Sequence, residues 1–114
     1  IHVGPVVCLS NPAEYFVSYG LQLKKRSGFP ITFPVELANG CVGYVPDEEA
    51  FGPHGGGYET RLTSYSNLEI TAGTQFMNVG LELAAKMKPA KLPERPNGPA
   101  GKPWAYGDQP PQLK

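Results

Sequence analysis

An α/β fold is predicted by three features of this 114-residue chain. The first is a short, unbroken apolar run, Val6-Val7-Cys8-Leu9, which reads as a strand buried on both faces, as in a parallel sheet. The second is a change of period after Ser10-Asn11. Phe16, Tyr19, Gly20 and Leu23 then share one helical face, with Val17 and Leu21 beside it. The third is another strand-like run, Phe29 to Leu37, which closes a βαβ unit expected to be parallel and right-handed.

Taken in order, Gly4 and Pro5 weaken the start of the first strand, so its regular part should cover 6–9. Asn11 is a good helix N-cap, Pro12 suits the first helical position and Glu14 falls at the third. The first helix is therefore expected from Pro12 to about Arg26. Lys24, Lys25 and Arg26 would complement its dipole, with Ser27-Gly28 as the stop. Pro30 and Pro34 mark the second strand as an edge or give it an irregular start. Asn39-Gly40 signals a turn, and Val42-Gly43-Tyr44-Val45 a short third strand. Pro46 to Phe51 reads as one helical turn, and Gly52 to Gly57 as a glycine-rich loop. Leu62 to Asn67 shows no period. A second helix is expected from Thr71 or Thr74 to near Lys88, with Phe76, Val79, Leu83 and Met87 as its apolar face and Gly80 alongside. Seven of the 13 prolines lie beyond residue 88, which divides the chain into a folded part, 1–88, and an extended Pro/Gly-rich tail, 89–114. Trp104 and Tyr106 are the aromatic groups of that tail, able to pin it onto the folded part or onto a partner.

Lys plus Arg and Asp plus Glu number 10 each. This balance argues against nucleic acid or an anionic membrane surface as partner. No apolar run approaches the roughly 20 residues that span a bilayer. Cys8 sits in the strand as a small apolar side chain, and Cys41 follows a turn. A disulfide between them is possible, but spacing does not decide it. No Cys-x-x-Cys or His/Cys cluster suggests a structural zinc site. The chain starts at Ile1 and opens almost at once into a strand, so it is expected to be a processed or partial chain. Two helices and three strands cannot cover both faces of a parallel sheet, so further residues or a companion chain are expected to complete it.

The strand-to-helix junction draws attention to Glu14. Open α/β folds place ligands at the carboxyl ends of their strands, and a helix N-terminus favours an ionised carboxylate. The same spacing also fits a capping box, in which Glu14 reaches back to the Asn11 N–H.

Residues 11–25 resemble the neutral (non-lysosomal, neutral/alkaline) ceramidase family, and are most similar to its compact bacterial members. The family's Pro-Gly-Glu segment, following glycine and Leu-basic pair are matched by Pro12-Ala13-Glu14, Gly20 and Leu23-Lys24. The likeness continues through Glu36-Leu37-Ala38-Asn39-Gly40-Cys41-Val42-Gly43-Tyr44-Val45-Pro46, Glu48-Glu49-Ala50-Phe51 and Tyr58-Glu59. It covers roughly residues 6–88. The resemblance implies a zinc-dependent hydrolase that cleaves the amide of N-acylsphingosine, a sphingolipid, by metal-activated water. It also suggests a secreted or periplasmic location. Zinc in the family is held by two histidines, a glutamate and a tyrosine, which implies that Glu14 is the zinc-binding glutamate.

Two departures accompany the resemblance. No segment here resembles those that carry the family's histidines; only His2 and His54 are present. A gapless alignment through Glu48-Glu49 also sets Phe51 where the ligand tyrosine belongs, leaving Tyr58 as a candidate ligand or oxyanion donor. Tyr65 is a candidate for the family's further, oxyanion-stabilising tyrosine. His54, flanked by glycines, is a candidate ligand as well as an ordinary loop histidine, and Arg61 either pairs with Glu59 or Glu49 or meets substrate. Tyr15 and Tyr19, one turn apart, are expected to pack. The expectation is part of a ceramidase-like catalytic domain, inactive by itself, acting on a lipid amide once the rest of the domain or a companion chain is present. The alternative is a non-catalytic structural or interaction segment with a degenerate metal site.

Overall fold

The computed structural model describes residues 1–94. The tail residues 95–114, with Trp104 and Tyr106, lie outside the described residues. A three-stranded sheet is built from β1 (His2–Val3), β2 (Val6–Ser10) and β4 (Ile31–Val35), in the order β1-β2-β4. A two-stranded sheet pairs β3 (Glu14–Tyr15) with β5 (Tyr44–Val45). Two helices, α1 (Val17–Arg26) and α2 (Ala72–Ala85), pack on each other and on one face of the larger sheet. This is the expected α/β class, with β2-α1-β4 as a parallel crossover. Among the described residues, no helix is long and apolar enough to cross a membrane.

β2 begins and ends close to expectation, but the described residues close only one of its faces. Val7 and Leu9 are buried against the helices, whereas Val6 and Cys8 are half-buried. Gly4 and Pro5 do more than weaken the start of that strand: they form a turn, through which β1 folds back antiparallel. The Ile1 ammonium group donates to the Cys8 carbonyl at 3.0 Å. β4 lies at an edge, which accommodates the missing N–H of Pro34.

The first helix starts five residues later than the spacing predicts. Asn11 does not cap it; its Oδ1 accepts from the Ala13 N–H at 3.1 Å, turning the chain within two residues. Segment 11–16 stays extended because neighbours on both sides claim its backbone. Asn11 N–H donates to Val35 O, Ala38 N–H to Asn11 O, and Glu14 N–H to Gly43 O, all between 2.9 and 3.0 Å. Long-range pairing wins over a strong local helix signal here. The C-terminal stop holds: Ser27 N–H bonds Leu23 O, and Gly28 takes φ +77°.

α2 keeps part of the expected face, with Phe76, and Met87 just beyond the helix end, packed against the core, and turns the rest of it outward. Val79 and Leu83 point outward at 55% and 51% exposure, while Gly73, Met77 and Ala84 are buried. The small residues let the helix approach closely. A Cβ on Gly73 would lie 2.5 Å from Tyr19 Cζ, and one on Gly80 would lie 3.6 Å from Leu23. Tyr19 in turn stacks on Tyr15, with ring centroids 4.6 Å apart and planes 7° from parallel, and Tyr15 donates to Gly73 O. Both tyrosines are core residues, as expected.

Burial raises the Tyr19 phenol pKa, the Thr74 hydrogen bond opposes this, and the Glu48 and Asp47 charges add to it. The protonated phenol therefore contributes stability that is present below its ordinary value of 10.0 and is lost as pH rises through the raised folded value. Tyr19→Phe is expected to match the wild type near neutrality and to outlast it in alkali. Urea denaturation of both proteins at about pH 7 and about pH 11 checks this. A stability difference that does not move with pH would refute it.

Candidate functional site

Glu14 alternates with its neighbours as a strand residue must: Ala13 and Tyr15 are buried, and Glu14 is exposed. It thus neither starts a helix nor completes a capping box. Its partner across the parallel pair is Tyr44, directly in register. The two side chains open onto a cleft of about 360 Å³, whose wall also carries Glu36, Glu59 and Phe16. Leu37, at φ +51°, turns the chain so that its N–H reaches Ala13 O, which fixes the strand from the other side. A left-handed leucine is a strained conformation held by its surroundings.

Tyr44 is held by three contacts. Its N–H donates to Ser66 Oγ at 2.8 Å, its ring meets Tyr58 edge-on with centroids 5.2 Å apart, and its strand is locked to β3. Hydrogen bonding to Tyr58, partial loss of water and the charge of Glu14 push its phenol up to about 12. A second cleft, of about 210 Å³, shares Tyr44 and Glu59 with the first. It is lined by Pro46, Phe51, Leu68 and Ile70, with Arg61 at its wall. The 3-10 turn Glu48–Phe51 that carries Phe51 is capped by Asp47, which accepts from Ser18 of α1 at 2.7 Å, and Glu48 accepts from Thr74 of α2 at 2.6 Å.

The predicted site residues therefore separate into two groups. Glu14 lines the first cleft, and Tyr58 stands beside it through Tyr44. Tyr65 lines neither cleft; its side chain is 61% exposed, and its carbonyl backs onto Gly43. His54 also lines neither cleft and lies exposed in its glycine loop. His2 packs edge-on against Phe29 and bonds the Gly4 carbonyl. Cys8 and Cys41 are free thiols. The tyrosine missed from sequence is Tyr44. The expected third strand contains it, but a helix starting at Pro12 gives Glu14 no strand partner, so their pairing does not follow from the local pattern.

Glu14 and Tyr44 offer two oxygen donors of kinds that zinc accepts. Among the described residues, no group of three or more His, Cys, Asp or Glu could hold a metal ion. The fold and the cleft together define a small α/β protein with an acidic, phenol-lined cleft at a strand pairing. Comparison with family models, with curated proteins and with solved structures gives no match.

Proposed function

We propose that this chain contributes part of a zinc-dependent amidohydrolase of the neutral ceramidase type, acting on an N-acyl lipid amide. The observation that carries the reading is the register of Glu14 with Tyr44: a carboxylate and a phenol, from segments 30 residues apart, share one cleft wall. Their backbones are fixed on both sides, as a site needing rigid donors requires. Zinc, when bound, would supply a Lewis acid that polarises the amide carbonyl and acidifies water. Glu14 and Tyr44 would hold it, and Tyr58 would orient the Tyr44 ring through their edge-on contact. The remaining ligands come from further residues of the domain or from a companion chain. A second reading, an interaction segment without catalysis, is favoured by the apolar sheet face that the described residues leave uncovered opposite the helices.

The test is zinc content and N-acyl amide hydrolysis of the protein purified together with whatever polypeptide completes it. Wild type is expected to retain zinc and to hydrolyse the amide, and the 114 residues alone to be inactive. Glu14→Gln should lose the metal, and Tyr58→Ala, which removes the ring beside Tyr44, should weaken metal affinity by about tenfold or more, as loss of an outer partner of a ligand does. Zinc content and activity unchanged in Glu14→Gln would reject the assignment.

A further inference from the structure

The face of the larger sheet turned away from the helices is apolar and has no cover among the described residues. Pairing aligns Val3 with Val6, Val6 with Ile31, and Cys8 with Phe33. Pleating sets these residues, with Val35, opposite the buried Val7, Leu9 and Thr32. Phe33 is 53% exposed and Val3 69%. Parallel pairs occur with both faces covered, and a contiguous apolar patch marks a docking surface. The edge beside it is a poor template for an added strand, because Pro34 breaks the row of donors on β4. The face therefore suits side chains more than backbone.

We propose that its occupant is this chain's own C-terminal segment, with Trp104 and Tyr106 seated against Phe33, Ile31 and Val6. After α2 the chain returns to the sheet: the Ala90 N–H donates to the Gly4 carbonyl at 3.0 Å, in the β1–β2 turn. Residues 91–114 thus start at the end of the strands, where Val3 and Val6 lie. At about 3.1 Å per residue for a proline-rich chain, the span from Glu94 to Trp104 reaches about 30 Å, whereas a five-residue strand covers only about 16 Å. Prolines leave few backbone N–H groups needing partners, so such a segment can cross a face without a strand to pair with. A tether also gives the segment an effective concentration of order millimolar, an advantage that a second copy or a separate protein lacks.

Trp104 is the only tryptophan, so its fluorescence in the full chain reads the proposal directly. Its emission should be blue-shifted from that of the urea-unfolded chain and shielded from acrylamide. Phe33→Glu, at a half-exposed position outside the helix-side core, should move emission to the unfolded value while the far-ultraviolet circular dichroism is kept. Val35→Glu serves the same purpose if Phe33→Glu does not fold. Native emission already at the unfolded value would overturn the proposal, as would an unchanged blue shift in a folded variant. A blue shift that vanishes on dilution, with dimer giving way to monomer, would assign the face to a second copy and overturn it too.

Discussion

Gly43→Ala is expected to destabilise the protein by about 2–4 kcal/mol, the sum of backbone strain and overpacking. For a fold of this size, that lowers the thermal midpoint by about 10 °C or more. Gly43 has φ +78°, a region that a side chain resists, and an added Cβ would fall inside the contact radii of Ser66 Oγ and the Tyr65 carbonyl. The carbonyl belongs to the backbone and cannot swing away. The damage also reaches the candidate site, because Gly43 O accepts the Glu14 N–H at 2.9 Å and Tyr44 is the next residue. Combining Gly43→Ala with Ser66→Ala should not restore stability, since the Tyr65 carbonyl remains and the Tyr44 N–H loses its Ser66 Oγ acceptor. Thermal unfolding followed by circular dichroism measures both variants. An unchanged midpoint would show that segment 42–45 is not held against 65–66.

Tyr19→Ala is expected to cost about 3–5 kcal/mol, the range for truncating a buried aromatic side chain. Its ring fills the space between the two helices, stacked on Tyr15 and pressed on Gly73. Gly73→Ala alone should cost about 1–3 kcal/mol by overpacking, offset by up to about 1 kcal/mol of helix propensity. The two changes should not add. Once the ring is gone the new methyl group has room, so Gly73→Ala in the Tyr19→Ala background should be neutral or stabilising. Urea denaturation of the four proteins in a double-mutant cycle checks this. Strict additivity would mean that the Gly73 approach to Tyr19 does not limit helix packing.

The parts of the fold legible in the sequence are those set by short-range chemistry. Val6 to Leu9 forms a strand, Ser27-Gly28 ends a helix by its own backbone, and the single helical turn read between Pro46 and Phe51 forms at Glu48–Phe51. The face of α2 was legible in part. Phe76, Met87 and Gly80 pack as expected, but Val79 and Leu83 point outward and Gly73 takes the closest contact, because its value lies in how closely another element can come. Glu14 was legible as a residue of interest, but its setting was not. Asn11-Pro12 followed by an acid is a sound helix start, and the same asparagine serves equally well to turn a chain into a strand.

By itself the sequence determined the α/β class, the order of its main elements and the break in the chain after Ser10. Only the tertiary structure decided that this junction is extended, that Tyr44 stands opposite Glu14, and that the described residues cover only one face of the larger sheet. The physical reason is that backbone donors and acceptors at 11–16 can be satisfied within a helix or by segments 35–45. That choice depends on which partners arrive from far along the chain, and no local pattern carries that information.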